Sequence, residues 1–157
     1  MMFTVCVQTA PFDPTAEVDV LRAGNPQIGA VVTFLGLMRD LNDGERVEAM
    51  TLEHYPGMTE RALEAIVAEA AGRWALEGVR VVHRVGELRP EEPIVLVAVA
   101  SRHRGEAFRA CEFVIDYLKT RAPFWKKERV AGGERWVGER HGDKEAYRRW
   151  ANPTDDS

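Results

Sequence analysis

The chain has 157 residues, of which 45% are hydrophobic and 29% are charged, with a formal net charge of −4 at pH 7. This composition is ordinary for a soluble globular protein and argues against binding that depends on overall positive charge. No apolar run approaches the roughly 20 residues of a membrane span, and the N-terminus lacks a signal-type apolar core. We expect one compact domain over residues 1–150, a frayed acidic tail over residues 151–157, and a cytoplasmic location.

Hydrophobic periodicity predicts the elements of the first half of the chain. They are strands over residues 3–8, 28–37 and 47–55 and helices over residues 16–23 and 59–75. Asp43-Gly44 is a turn signal between two extended runs, so the third strand is expected to pair back, antiparallel, on the second. Thr59 is the expected N-cap of the second helix.

The second half continues the alternation of strands and helices. It contains predicted strands over residues 79–85, 94–100, 124–129 and 134–139, a long helix that ends near Arg121, and a short helix over residues 143–150. The strand over residues 94–100 is apolar throughout, as expected when both faces are covered. His83 shares a side with three valines and is predicted to be a packed side chain rather than a catalyst. The order of elements predicts an α+β fold with a mainly antiparallel sheet.

The segment over residues 116–129, DYLKTRAPFWKKER, concentrates cations in a chain of negative net charge. Pro123 should end the preceding helix, which places Lys119 in its last turn. In the strand that follows, Lys126 and Lys127 must point to opposite sides. The cluster predicts a local anion site. Favourable interaction with the helix dipole, or protection of a strand edge, would also explain these cations, and both interpretations stay open.

A second cationic cluster follows the strand over residues 94–100. Its sequence is Ser101-Arg102-His103-Arg104-Gly105, at the start of the long helix. Side-chain cations beside the free backbone donors of a helix N-terminus would suit a phosphate. Arg39, at the end of the second strand, is read as a solvated strand-end arginine unless a partner is found.

No pattern in the sequence indicates a bound cofactor or metal. Cys6 and Cys111 both fall in apolar segments, and burial of Cys111 should raise the pKa of its thiol. The four histidines are scattered without the spacing of metal ligands, and glycine-rich nucleotide-binding loops are missing. We therefore expect chemistry that uses neither a metal, a cofactor nor a protein thiol.

Three blocks together resemble the large, catalytic subunit of molybdopterin synthase. They are TLEHYPGMTERAL over residues 51–63, SRHRGEAF over residues 101–108 and DYLKTRAPFWKKE over residues 116–128. The intervening FLGLMRDLNDG and HRVGELRPEEPIV also fit, so the resemblance extends from about Ile28 to Arg140. It implies an α/β hammerhead fold with an additional antiparallel β subdomain.

The resemblance also implies a function in molybdenum cofactor biosynthesis. Such a sulfurtransferase converts cyclic pyranopterin monophosphate to molybdopterin by inserting two sulfur atoms. Each sulfur comes from the C-terminal Gly-Gly thiocarboxylate of a small ubiquitin-like carrier subunit. The implied assembly is a homodimer with one carrier at each end, that is, a heterotetramer. Sulfur delivery by the partner would explain why no catalytic thiol is apparent.

The site residues follow from the same resemblance. Lys119 and Lys126 match the catalytic lysines, and if Lys126 and Arg104 converge on Lys119, they should lower its pKa. The implied substrate-binding residues are Leu37, Met38, Arg39, His103, Arg104, Lys127 and Glu128, together with the two lysines. Contacts in the Leu37-Met38 segment would be made by the backbone. Arg140 is implied to reach the site of the neighbouring subunit.

Two other functions are compatible with the residues alone. The cations and aromatic residues over residues 124–129 alternate as they do in some single-stranded nucleic-acid sites. Against this reading, the net charge is negative and the basic residues are expected to form pockets rather than a stripe. A non-catalytic adaptor that docks a ubiquitin-like tail is the second alternative. It would bind the tail without turning over the pterin.

Overall fold

The computed structural model describes residues 1–137 and 148–150. The helices are α1 (Pro14–Arg22), α2 (Met58–Arg73) and α3 (Arg104–Arg121). The strands are β1 (Met2–Gln8), β2 (Ala30–Leu37), β3 (Leu41–Asn42), β4 (Glu45–His54), β5 (Gly78–Arg84), β6 (Gly86–Leu88), β7 (Pro93–Ser101), β8 (Phe124–Val130) and β9 (Gly133–Val137). The expected α+β class is confirmed.

The described residues include only part of the elements predicted at the C-terminal end of the chain. The strand expected over residues 134–139 is β9, which is described as far as Val137. Residues 148–150 are helical, and the rest of the helix expected over residues 143–150 lies outside the described residues. Arg140 and the tail over residues 151–157 lie outside them as well. No helix in the described part of the chain is long and apolar enough to cross a membrane.

The first sheet has the strand order β1-β5-β7-β2. The β1–β5 pair is parallel, and β7 is antiparallel to both of its neighbours. Val95, Val97 and Val99 of β7 pack in the main core with α2 and α3, whereas Ala98 and Ala100 pack in a second cluster with α1. Helices therefore cover both faces of β7, as its uniformly apolar sequence predicts.

The second sheet has the order β3-β4-β8-β9, and β6 also pairs with β4. The prediction that β4 pairs back on β2 is wrong, because β2 pairs with β7 and β4 pairs with β8. Asp43 (φ 51°) and Gly44 (φ 76°) do form a turn. A two-residue turn pairs the residues that flank it, here Asn42 with Glu45, so the hairpin partner of β4 is the short β3.

The start of α2 differs from the sequence prediction. The helix begins at Met58, and the Glu60 carboxylate accepts a hydrogen bond from the Gly57 amide at 3.2 Å. Thr59 lies inside the helix, where its hydroxyl accepts from the Tyr55 amide at 2.9 Å and donates to the Pro123 carbonyl at 3.0 Å. Thr59 therefore ties α2 to the turn after α3 instead of capping α2.

That turn determines where the cationic segment lies. α3 ends at Arg121, Ala122 is extended, and β8 starts directly after Pro123, as predicted. Lys119 is thus in the last turn of α3, and Lys126 is the third residue of β8. Because β8 belongs to the second sheet and α3 packs on the first, the two lysines come from opposite sides of the junction between the sheets.

Candidate active site

A cavity of about 450 Å³ lies at the junction of the two sheets, beside the C-terminal end of α3. Its walls come from seven strands and one helix. The lining residues are Leu37, Met38, Arg39, Leu41, Asn42, Met50, Leu52, His83, Ile94, Leu118, Lys119, Thr120, Ala122, Phe124, Lys126, Glu128 and Val137. The cavity has the size of a small-molecule site and combines an apolar floor with a few cationic groups.

Three cationic side chains converge on this cavity from separate elements. Arg39 follows β2, Lys119 ends α3, and Lys126 is on β8. The interpretation of Arg39 as a solvated strand-end residue is therefore incomplete, since it is exposed but also lines the cavity. Leu37, Met38 and Glu128 line the same space, so six of the nine implied site residues lie together.

Lys127 lies on the other face of β8, as the alternation of a strand predicts. Its ammonium is 3.6 Å from a carboxylate oxygen of Glu134 and 4.7 Å from the centre of the Trp136 ring. It does not line the cavity. Only Lys126 of this lysine pair can approach a molecule bound there.

His103 and Arg104 lie at the opposite end of α3 from Lys119. His103 is the N-cap residue and Arg104 opens the helix, and both are exposed. Lys119 is fifteen residues after Arg104, which corresponds to about 22 Å along the helix at a rise of 1.5 Å per residue. The expectation that Arg104 crowds Lys119 is therefore not met within one chain.

Comparisons with known proteins identify the family. A family model described as MoaE protein matches residues 7–121. The chain belongs to the MoaE family. A molybdopterin synthase catalytic subunit from Ralstonia nicotianae is 61% identical over 156 residues, which is 99% of this chain and 89% of that protein.

Solved structures of MoaE-family proteins agree with this fold. A molybdopterin biosynthesis MoaE protein from Burkholderia ambifaria is 57% identical, with a TM-score of 0.83 over 96% of this chain and 99% of that one. The molybdopterin synthase from Staphylococcus aureus is 34% identical, with a TM-score of 0.79 over 84% of this chain and 95% of that one. The family resemblance inferred from the three sequence blocks is confirmed.

His83 is a cavity residue of this MoaE-family protein that sequence reasoning did not select. Its ring stacks on Phe124 at 3.9 Å between centroids and 15° between planes, and its Nδ1 is 2.8 Å from the Arg84 carbonyl. The prediction of a packed side chain is confirmed, because only 4% of the residue is exposed. Its place next to a cavity depends on Phe124, which lies 41 residues further along, and no local sequence pattern indicates that contact.

The environment of His83 keeps its ring neutral. Desolvation by burial lowers the pKa to about 3, and the positive charges of Lys119 and Lys126 act in the same direction, as does His54. The hydrogen bond to the Arg84 carbonyl opposes this shift without overcoming it. Because a carbonyl only accepts, Nδ1 carries the proton and Nε2 is the basic nitrogen of the ring.

The neutral His83 should make folding stability depend on pH. The unfolded chain takes up this proton below its ordinary pKa of 6.5, but the folded chain takes it up only below about 3. Stability should therefore fall as the pH is lowered between these values, by at most about 1.4 kcal/mol per pH unit, and this loss should level off below them. Urea unfolding at several pH values, for the wild type and His83→Gln, measures the slope. If the free energy of unfolding changed with pH to the same extent in the two proteins, His83 would not be the buried neutral group that causes the dependence.

Cys111 is buried against the first sheet, and its thiol is 3.7 Å from the Val97 carbonyl oxygen. Desolvation by burial raises the pKa of the thiol to about 12, in spite of a hydrogen bond with the backbone of Phe34 that lowers it. The sequence prediction of an unreactive, packed thiol is confirmed. Burial therefore disfavours a thiolate nucleophile at this position at neutral pH.

Proposed function

We propose that this chain is the catalytic subunit of a molybdopterin synthase, which inserts two sulfur atoms into cyclic pyranopterin monophosphate. The observation that carries the proposal is the convergence of Arg39, Lys119 and Lys126 on one cavity in a MoaE-family fold. Relatives more than half identical to this chain carry the name molybdopterin synthase catalytic subunit. The enzyme is a sulfurtransferase of molybdenum cofactor biosynthesis.

The cavity suits the charges of this reaction. A thiocarboxylate is anionic at neutral pH, the pterin substrate carries a phosphate, and negative charge builds up on sulfur and oxygen as the acyl group is transferred. Cations fixed in a partly desolvated pocket stabilise such charge better than water does. The sulfur of the thiocarboxylate attacks a side-chain carbon of the pterin and displaces an oxygen substituent, which leaves with a proton. Water then hydrolyses the bond between that sulfur and the acyl carbon, which leaves the sulfur on the pterin and a carboxylate on the carrier.

We assign the chemistry to Lys119, with Lys126 assisting, and phosphate binding to Arg39. A lysine at the end of a rigid helix can donate or accept a proton at a fixed point. The planar guanidinium of Arg39 can grip a phosphate through two parallel hydrogen bonds. Leu37 and Met38 would contribute backbone contacts where β2 ends. The sulfur donor is a small ubiquitin-like carrier subunit whose C-terminal Gly-Gly enters the cavity.

His103 and Arg104 bind substrate, in this proposal, in the cavity of a second copy of the chain. The implied homodimer needs an interface, and β2 offers one because it is an edge strand of the first sheet in the described residues. It carries no charged side chain, and Phe34 and Leu35 are partly exposed. Edges of this kind readily pair with another strand.

Antiparallel pairing of two β2 strands would bring these residues to the right place. The start of β2 is next to the α3 turn, since the Gly29 amide donates to the Ser101 carbonyl at 3.0 Å. The end of β2, Leu37, lines the cavity. In an antiparallel pair, the start of one strand lies beside the end of the other. Arg104 of one copy would thus approach the cavity of its partner.

Three finer assignments accompany this proposal. The two sheets correspond to an α/β hammerhead with an additional antiparallel β subdomain, and residues 1–150 form one domain with a tail over residues 151–157. The enzyme acts in the cytoplasm.

The nucleic-acid alternative is not favoured. Phe124 is stacked on His83, and Arg129 lies between Glu48 and Glu87, so the aromatic and basic groups form no continuous stripe.

A reconstituted reaction tests the function directly. The purified chain is mixed with thiocarboxylated carrier and cyclic pyranopterin monophosphate, and the dithiolene product is followed together with the loss of sulfur from the carrier. We expect two carriers to be consumed for each pterin converted. Binding of the carrier without product formation would support the adaptor alternative and contradict the proposal.

The two adjacent lysines of β8 provide a matched pair for this assay. Lys126→Ala should lower turnover by about 100-fold, because it removes a cation from the cavity. Lys127→Ala should keep turnover within a few-fold of the wild type, because Lys127 contacts Glu134 and Trp136 on the opposite face. Equal losses in the two variants would mean that nonspecific positive charge, rather than the cavity, carries the activity.

A further inference from the structure

Glu128 is a buried carboxylate in the wall of the cavity, with only 6% of the residue exposed. Its two oxygens are 3.1 and 3.0 Å from Nδ2 of Asn42. Nε of Arg135 donates to Oε1 at 3.2 Å, and a second guanidinium nitrogen is also 3.2 Å from that oxygen. Burial of a carboxylate is costly unless polar or charged groups bond to it. Here Asn42 of β3 and Arg135 of β9 bond to Glu128 of β8.

Arg135 extends this network to the backbone of the hairpin formed by β3 and β4. Its NH2 group donates to the carbonyl of Asn42 at 2.9 Å, and NH1 is 3.4 Å from the carboxylate of Glu45. Glu128 and Arg135 also cancel each other's charge.

The β3 arm of the hairpin has few strand contacts of its own, whereas β4 is also paired with β6 and β8. β3 is two residues long, and its ladder pairs Leu41 with Arg46 and Asn42 with Glu45. Leu41 is 54% exposed, although it lines the cavity rim. In the described residues β3 is a two-residue edge strand that pairs only with β4, so strand pairing alone stabilises its position little. Arg39 lies three residues before Asn42 and directly after Met38, whose backbone bonds to Glu91 and Glu92, so its backbone is held between that anchor and the hairpin.

We propose that Glu128 is a positioning residue, and that its bonds to Asn42 and Arg135 latch the β3–β4 hairpin across the cavity and so hold Arg39 in place. This differs from the role that the family resemblance implies, which is direct substrate binding. A carboxylate would repel a phosphate or a thiocarboxylate, and both oxygens already accept hydrogen bonds from protein donors. The catalytic meaning of the latch depends on the proposed function, but its effect on the hairpin does not.

Trypsin cleavage after Arg46 of the full chain, without substrate or carrier, measures opening of the hairpin. The side chain of Arg46 is 83% exposed, but Val47 is buried and pairs with Val130 of β8, so the hairpin must open and the start of β4 must leave β8 before the bond fits a protease. Asn42→Ala and Glu128→Gln should each speed this cleavage by about tenfold, as expected from the loss of a hydrogen bond to a charged group. Cleavage after Arg22, at the end of α1, should keep its rate. Asn42→Ala retains the Glu128–Arg135 pair, so it remains informative if Glu128→Gln folds poorly.

Steady-state kinetics then separates positioning from direct contact. Both variants should raise the KM for the pterin more than they lower kcat, and the double variant should be no worse than the more severe single one, because the two changes break the same link. Glu48→Gln, an exposed carboxylate on β4, serves as the control and should match the wild type. The proposal is overturned if Asn42→Ala leaves both cleavage and KM unchanged while Glu128→Gln raises KM. Because proteolysis is measured without substrate, a wrong proposed function would leave that result intact.

Discussion

Replacing Lys119 with alanine is expected to lower sulfur transfer by about 100- to 10,000-fold, the range typical for loss of a positioned acid or base. The side chain lies in the last turn of α3 and lines the cavity. Its removal leaves the thiocarboxylate and the phosphate without one of the three converging cations, and removes the group assigned to proton transfer. Product formation in the reconstituted reaction, under single-turnover conditions, is the appropriate measurement.

Arg121→Ala is the control for this variant. Arg121 is a cation in the same helical turn, but it bonds to Glu69 at 2.9 Å and lies 4.9 Å from the Tyr117 ring centre, outside the cavity. It should retain turnover within a few-fold of the wild type, and both variants should unfold cooperatively. If Lys119→Ala transferred sulfur at the rate of Arg121→Ala, the assignment of Lys119 to the chemistry would be wrong.

Mixed dimers should recover activity that neither parent variant has. Lys119→Ala and Arg104→Ala homodimers are each expected to be nearly inactive. A heterodimer of the two contains one cavity in which Lys119 of one chain and Arg104 of the other are both intact. Random pairing makes half of the dimers mixed, so about a quarter of wild-type activity should return, as symmetry requires for sites shared across a twofold interface.

A second mixture provides the control. Lys119→Ala combined with Lys126→Ala should recover nothing, because both lysines line the same cavity of one chain and no pairing restores an intact site. Co-expression with two affinity tags isolates the heterodimers in both cases, and the purified Lys119→Ala/Arg104→Ala heterodimer should then have about half of wild-type activity, since one of its two cavities is intact. Equal activity in the two mixtures would place His103 and Arg104 outside the site and would remove the reason for a shared cavity.

Local sequence rules predicted most elements because their causes are local. Pro123 ends α3 through a steric conflict with the residue before it, and the strand alternation of β8 separates Lys126 from Lys127. The apolar run of β7 predicted a strand covered on both faces, which the valines and alanines confirm. These rules depend on residues that are only a few positions apart, so their outcome can be read directly from the sequence.

The predictions that failed depend on contacts between distant parts of the chain. The pairing of β4 with β8 joins residues 70 or more positions apart, and nothing near Asp43-Gly44 distinguishes it from pairing with β2. Thr59 was expected to cap α2, yet its hydroxyl is bonded to the carbonyl of Pro123, 64 residues away. The partner of Glu128, Asn42, is 86 residues away. Such contacts follow from tertiary packing, which overrides local preference.

A structure of the complex would show whether the carrier's last glycine reaches the cavity. We expect its terminal carbonyl carbon to lie inside the cavity, within about 4 Å of the Lys119 ammonium and with Lys126 on the same side, as proton transfer requires. A tail that ends elsewhere on the surface, with the cavity empty and Lys119 far from the acyl carbon, would contradict this expectation.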